Sequence, residues 1–250
     1  MSVVKKFIVI KLGGSVVSTS EENIFEFEKA LCFVNILRRY FNKYKFVVII
    51  GGGFLARKYI RLIQENSYVH SYSDNRTEFL DLLKHEVGVA AVNLNAIVLK
   101  SLFFPHEVED KILRYQDFDN LDSIKISKNV LISAAGHPGY SSDYNAYLIA
   151  KRVETNFVVS IKNIDGVYTS DPKKDKNAVF LSYLSWSKYL NIVGVKEHFN
   201  PGDNYPVDPL TAKLCMRDKI KFIIMGNDNG SFIEFSKLLE CKDYKASIIE

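Results

Sequence analysis

The sequence predicts an α/β fold with a mostly parallel central sheet covered by helices. Apolar runs rich in Val, Ile and Phe alternate along the chain with stretches of helical periodicity. Two of these runs, Phe7 to Lys11 and Lys45 to Ile50, are almost continuously apolar, as expected of central strands buried on both faces. Each opens into a glycine turn, so the strand ends are the natural place for a ligand.

Phe7 to Lys11 reads as the first strand. Ser20-Glu-Glu-Asn then reads as the cap of a helix reaching Tyr40, with Phe25, Phe27, Ala30, Leu31, Val34 and Leu37 spaced for one apolar face. After Lys45 to Ile50 and the turn Gly51-Gly-Gly53, a helix is expected from Phe54 to Gln64. A longer one is expected from Arg76 to Val92, continuing toward Ile97. Phe103 to Lys128 suggests a strand, a loop and a small helix. Val130 to Ala135 is a buried strand running into Gly136-His-Pro-Gly-Tyr-Ser-Ser-Asp143 and a helix to Arg152. The remainder reads as strand Phe157 to Ile161, a hairpin-like excursion from Gly166 to Leu181, helices Trp186 to Ile192 and Leu210 to Arg217, and strand Phe222 to Met225. A last helix follows from about Phe232 to Leu239, with Ala246 to Ile249 as an edge strand.

At 250 residues and 47% hydrophobic, the chain can bury one large core or two closely joined lobes. The net charge of +4 is slight and its cations are interspersed with acids, which argues against a nucleic acid polymer as partner. Cys32, Cys215 and Cys241 are odd in number and lack metal-ligand spacing, the pattern of thiols in a reducing compartment. The apolar run after Lys5-Lys6 is too short for a signal peptide, and no apolar stretch approaches the roughly 20 residues of a membrane span. A cytoplasmic protein is expected, with no membrane partner.

Four strand-end turns carry the chemistry. Lys11-Leu-Gly-Gly-Ser15 puts a lysine beside a turn whose amides can approach an anion; an ordinary solvated lysine is the alternative. Gly51-Gly52-Gly53, with Arg57 one turn into the next helix, suggests close approach to a ligand, or else a flexible connection. Ser141 and Ser142 can cap a helix whose amides face an acceptor phosphate, and capping alone would also explain Ser-Ser-Asp. In Ser160-Ile-Lys-Asn-Ile-Asp-Gly-Val-Tyr-Thr-Ser-Asp-Pro172, Tyr168 can flank a base and Asp171 can accept ribose hydroxyls. Together the first and last turns look like two halves of a nucleoside triphosphate site. Lys213, one turn into a helix, is by default a surface lysine. There is no GxxxxGK[ST] loop and no HRD or DFG set. His70, His85, His106, His137 and His198 show no paired-ligand spacing.

In combination and order these segments resemble the amino acid kinase superfamily, most closely its archaeal-type uridylate kinase branch. The matching pieces are Lys11-Leu-Gly-Gly-Ser-Val, Gly51-Gly-Gly-Phe-Leu-Ala-Arg-Lys-Tyr-Ile60, Leu94-Asn-Ala96, His137-Pro-Gly-Tyr-Ser-Ser-Asp143, Asn163-Ile-Asp-Gly-Val-Tyr-Thr-Ser-Asp-Pro-Lys-Lys-Asp175 and Val207-Asp-Pro-Leu-Thr-Ala-Lys213. The resemblance implies a three-layer α/β/α sandwich in a single amino acid kinase-like domain over 1–250. Its acceptor-binding part would be roughly 1–155 and its ATP-binding part roughly 156–250.

The activity implied is phosphoryl transfer from ATP to a nucleoside monophosphate, most closely UMP, by a homo-oligomer that is commonly a hexamer. Lys11, Asp143 and Lys213 would be catalytic, the two lysines neutralising charge and Asp143 organising them. Lys11, Leu12, Gly13, Gly14, Gly53, Arg57, Lys162, Tyr168 and Asp171 would hold ATP. Gly52, His85, Gly136, His137, Pro138, Gly139, Tyr140, Ser141 and Ser142 would hold the acceptor. No protein metal site is implied, since Mg²⁺ would arrive with ATP and be held mainly by its phosphates.

Two departures fall on the acceptor side. His85 stands where the family has a ribose-binding acid, and Asn93 where the archaeal enzymes have an arginine. A kinase of another small phosphorylated or carboxylated acceptor is therefore the alternative, followed by a non-catalytic nucleotide- or anion-binding protein. The sister isopentenyl phosphate kinases carry a histidine where Arg57 stands, and rank lower.

Overall fold

The computed structural model describes residues 5–65, 76–134, 140–172, 174–194 and 205–250, with the backbone alone for 76–78. In chain order its elements are β1 Lys6–Leu12, α1 Gly14–Val17, α2 Phe27–Arg39, β2 Tyr44–Ile50, α3 Gly53–Glu65, α4 Arg76–Ser101, β3 Val108–Leu113, a 3-10 segment Tyr115–Ser123, β4 Val130–Ser133 and α5 Ser142–Arg152. Then follow β5 Phe157–Lys162, β6 Val167–Tyr168, β7 Phe180–Leu181, β8 Tyr183–Leu184, α6 Trp186–Val193, α7 Pro209–Asp218, β9 Lys221–Gly226, a short 3-10 turn, α8 Ile233–Leu239 and β10 Ser247–Ile249.

Eight strands form one sheet in the order β3-β4-β2-β1-β5-β9-β10-β8, parallel except where β10 runs against β9. Alternation along the strands sorts their side chains into two cores. Ile8, Ile10 and Leu12 of β1 face a layer containing Val16, Val17, Phe33, Leu37, Ala96, Leu99 and Phe235. Val9, Val47 and Ile49 face the other way, onto Ala146, Ile149, Trp186, Tyr189 and Ala212. The sheet thus lies between α1, α2, α4 and α8 on one side and α5, α6 and α7 on the other, giving the expected α/β/α sandwich.

Three local expectations need correction. Ser20 does not cap the helix that follows: its Oγ accepts the Asn23 amide at 3.2 Å in a local turn, and the helix begins only at Phe27. The last strand is not at the edge, because β8 pairs beyond it and covers its outer side. And α4 does contain an apolar stretch of spanning length, Phe79–Ser101, of which a 22% share of the most apolar window is buried. One side of α4 packs on the fold through Ala91, Asn95, Ala96 and Leu99, so length and composition are the only membrane-like properties it shows.

Candidate active site

The carboxyl ends of β1, β2 and β5 open into one cleft of about 1030 Å³. Its floor follows from strand register. β1 and β5 are parallel neighbours with Lys11 beside Ser160, so Lys162, two residues further along, comes up next to the turn that ends β1. The Gly13 amide donates to the Ile161 carbonyl at 2.9 Å and fixes this junction.

Both glycine turns meet above the floor. A Cβ on Gly14 would lie 2.1 Å from the Gly53 amide nitrogen, and Gly53 itself has φ +63°, a left-handed conformation that favours glycine. Asn95, buried on α4, donates from Nδ2 to the carbonyls of Gly51 at 2.8 Å and Gly52 at 3.2 Å, locking the second turn from behind.

Charge is concentrated on the floor. The buried Lys11 ammonium lies 2.7 Å from Asp143 Oδ1, in the first turn of α5. Burial pushes the Asp143 carboxyl up, but Lys11 and Lys162 together outweigh it and hold the group below its ordinary value. Lys162 donates to the Tyr205 carbonyl at 3.1 Å. Burial, aided by the neighbouring Lys11, brings its pKa down to about 7. Asp208 is a second buried carboxylate at this floor. It caps α7 by accepting the Thr211 amide at 2.9 Å and hydroxyl at 2.6 Å, and it receives the Ser141 hydroxyl. Burial, then the nearby Asp143, raise its pKa. Tyr189 secures the approach to Asp208: its hydroxyl donates to the Val207 carbonyl at 2.5 Å and accepts the Val207 amide at 2.7 Å.

On the β5 side the cleft is lined by Ile164, Tyr168, Asp171, Ile192 and Val193. Tyr168 is held on two sides, by its hydroxyl on Asp165 at 2.8 Å and by the edge of Phe180, centroids 5.5 Å apart. On the β2 side α3 and α4 form the wall, with Arg57, Arg61, Lys84, His85, Gly88 and Val92. Burial lowers the pKa of both Arg57 and His85. The carboxylates lining the cleft, among the described residues, are Asp143, Asp171 and Asp208, and none belongs to α3 or α4.

The structure therefore brings Lys11, Gly13, Gly14, Gly52, Gly53, Arg57, His85, Tyr140, Ser141, Ser142, Asp143, Lys162, Tyr168 and Asp171 to one cleft. Ser141 Oγ accepts the Tyr144 amide at 3.1 Å, as a helix cap should. Leu12 does not line the cleft, and its side chain is fully buried in the core. Lys213 does not line the cleft: α7 turns its buried face, Thr211, Ala212 and Cys215, inward and carries Lys213 elsewhere. The lysine beside Lys11 and Asp143 is Lys162. Asn93 also lies off the cleft, its amide turned onto the Val89 carbonyl of its own helix at 2.9 Å. Gly136, His137, Pro138 and Gly139 lie outside the described residues.

Sequence reading passed over Asp208 and Asn95. Asp208 precedes Pro209 and stands three residues before Thr211, a legible helix cap; its burial beside Asp143 is not legible. Asn95 lies within a stretch already singled out, but nothing in a lone asparagine says that it faces a backbone carbonyl.

The amino acid kinase family matches residues 6–226, from β1 through β9. The chain belongs to the amino acid kinase family. Uridylate kinase of Archaeoglobus fulgidus is 31% identical over 220 residues, 88% of this chain and 90% of that protein. Uridylate kinase of Pyrococcus abyssi is 31% identical over 223 residues, 89% and 91% of the two chains. The crystal structure of the Archaeoglobus fulgidus uridylate kinase superposes with a TM-score of 0.69 at 28% identity, covering 97% of this chain and 99% of that one. UMP kinase of Ureaplasma parvum, at 21% identity and TM-score 0.70, shares the fold of the amino acid kinases.

Proposed function

We propose that this protein is an ATP-dependent uridylate kinase, converting UMP and ATP to UDP and ADP. The observation that carries the reading is the buried Lys11–Asp143–Lys162 cluster at the strand mouths, beneath two touching glycine turns. It is supported by uridylate kinase relatives that align over nearly nine-tenths of the chain.

A phosphate oxygen of UMP attacks the γ-phosphorus of ATP while the bond to the β–γ bridging oxygen breaks in line. The attacking oxygen already carries negative charge, so no general base is required. The demand is for positive charge around three equatorial oxygens and for amides at fixed positions. Lys11 and Lys162 supply the charge, and Asp143 holds Lys11 in register and stays ionised. The turns Gly13-Gly14 and Gly52-Gly53 supply the amides. Tyr168 and Asp171 hold the nucleoside of ATP on the β5 side. Arg57, on α3, joins the glycine turns in holding the phosphates of ATP, and His85 and the Ser141–Ser142 helix start face the acceptor on the β2 side. In this reading the 1–155 part binds the acceptor and the 156–250 part binds ATP, within a single domain.

No group of three or more His, Cys, Asp or Glu among the described residues is arranged as a metal cage. The floor presents two lysines and a carboxylate already engaged by one of them, so a Mg²⁺ ion arriving with ATP would be held mainly by the nucleotide's own phosphates and would supply charge neutralisation there. The enzyme works in the cytoplasm, where ATP is available, as a homo-oligomer and by resemblance a hexamer.

The decisive experiment is ADP release from Mg-ATP against UMP, CMP, dUMP, AMP, GMP and isopentenyl phosphate. Turnover with UMP is expected, and silence across the panel overturns the reading. The cationic lining of the α3–α4 wall favours one second reading, a different anionic acceptor. Turnover with another panel member and none with UMP would select it.

A further inference from the structure

β10 and the residues leading into it lie beyond residues 6–226, the part of the chain that matches the family. They nevertheless reach back to the β6–β7 hairpin, which carries Tyr168 at the rim of the cleft. Lys245 and Ser247 stand two residues apart where the chain runs into β10. That spacing puts both side chains on one side of a strand, here the side that meets the hairpin.

Ser247 is fully buried and fastens the hairpin at its base. Its hydroxyl donates to the Leu181 carbonyl at 2.6 Å and accepts the Val167 amide at 2.7 Å. Val167 and Leu181 are register partners across the hairpin, so one oxygen ties both strands to β10. Gly166 permits the close approach, since a Cβ there would lie 2.4 Å from Ser247 Oγ. Lys245 acts further out. Tyr168 is held by Asp165 Oδ1 and by the edge of Phe180, and the Lys245 ammonium meets both of these groups. It donates to Asp165 Oδ2 at 2.5 Å and lies over the Phe180 ring, 5.0 Å from its centroid. The Lys245 backbone is fixed in turn, its amide donating to Glu234 Oε2 on α8 at 2.5 Å.

We propose that this C-terminal strand sets the nucleotide-binding hairpin, with Lys245 and Ser247 as positioning residues that act through Tyr168. The inference rests on the kinase reading, in which Tyr168 and Asp171 hold the nucleoside of ATP. Neither Lys245 nor Ser247 lines the cleft. The Lys245–Asp165 pair is about half exposed and contributes little to overall stability. Its effect falls on the orientation of one ring. With one Asp165 oxygen on the ammonium and the other on the phenol, Tyr168 is placed before ATP arrives. Binding then has less of the hairpin to order, which strengthens it without any new contact to the ligand. None of these partners belongs to α3 or α4, so the effect is confined to the ATP half of the reaction.

Steady-state kinetics with Mg-ATP and UMP test the assignment. Lys245→Met should raise KM for ATP about fivefold, the upper range for an exposed ion pair, and leave KM for UMP and kcat unchanged. Lys245→Arg keeps a cation on Asp165 and over the ring, and should restore KM for ATP. Asp165→Asn should raise it as well, and adding Lys245→Met to that variant should cost less than it does alone, because the two act as a pair. Ser247→Ala leaves a buried amide and carbonyl without their shared partner and should raise KM for ATP about tenfold. Lys242→Met, at an exposed lysine paired with Glu240, should change nothing. Circular dichroism melts check that each variant is folded. Unchanged KM for ATP in both Lys245→Met and Ser247→Ala overturns the proposal, as does a parallel rise in both KM values or no recovery with arginine.

Hydrogen–deuterium exchange on the free protein separates this from the kinase reading. Amides of the β6–β7 hairpin should exchange faster in Ser247→Ala and Lys245→Met, with β1 and β2 unchanged. Wild-type protection of the hairpin in both variants overturns the proposal whatever the kinetics show. Absence of ADP release from the wild-type protein with every acceptor would refute the kinase reading, and the exchange result would still decide whether the strand holds the hairpin.

Discussion

The floor of the cleft and its α3–α4 wall are built in opposite ways. The floor is buried and its ions are closely partnered: Lys11 meets Asp143, Lys162 meets a carbonyl, and Asp208 is held by Ser141 and Thr211. The wall is half exposed, apolar on its outer side and cationic on its inner side. Chemistry common to a family needs fixed charge in a dry place, where field effects are strong and reorganisation is small. Recognition of a particular acceptor tolerates change, and the departures His85 and Asn93 both fall on α4.

The comparison can be broken most sharply at the floor. Lys162→Ala or Lys11→Ala should lower kcat by about two to three orders of magnitude, the usual scale for losing a preorganised electrostatic partner. Turnover within tenfold of wild type in both would refute the assignment. Asp143→Asn leaves two buried lysines facing each other. It should lower the unfolding free energy in urea by about 3 kcal/mol or more, together with a loss of kcat.

Next comes pH. The charged form of Lys162 attracts phosphates, and its folded pKa of about 7 lies below its ordinary value. The ammonium is thus largely intact near pH 6 and about nine-tenths lost by pH 8 in the free enzyme. kcat/KM for ATP should fall severalfold over that range, and Lys162→Arg, which stays charged, should flatten the profile.

The wall should respond less. His85→Asp restores a carboxylate to the acceptor side and should lower KM for UMP by about tenfold, the worth of one charge-assisted hydrogen bond. An unchanged or higher KM would show that the wall no longer addresses a ribose. The smallest effect expected is that of Lys213→Ala, within about twofold in kcat. A hundredfold loss there would mean that α7 moves to bring Lys213 in.

The amino acid sequence shows the sandwich clearly because strands and glycine turns are local signals. The central strands appear within a residue or so of their predicted limits, α3 and α7 begin one residue before their expected starts, and α5 begins at its expected Ser141 cap. What it conceals depends on register between strands distant in sequence. Lys162 becomes a neighbour of Lys11 only because β5 pairs beside β1 with Ser160 opposite Lys11. Lys213 stood in a motif equally suggestive on paper, and only the facing of α7 separates the two. Ser20 illustrates the opposite failure, since a serine two residues before an acid caps a helix or closes a turn with the same atoms. For α4, periodicity fixed neither its far end nor its exposed side, because a helix apolar all round has no preferred face.

The paired hydrogen bonds between the Tyr189 hydroxyl and Val207 have one more consequence. Val207 lies outside regular secondary structure, just ahead of α7, where an amide would ordinarily trade its hydrogen for solvent deuterium within moments. Here that hydrogen is enclosed by a phenol rooted in the core, beside the carboxylate that caps α7. Its release requires the α6–α7 layer to lift from the sheet, so its exchange should keep pace with the slowest core strands rather than with loops. A single phenolic oxygen thereby makes a stretch of irregular chain as long-lived as a strand.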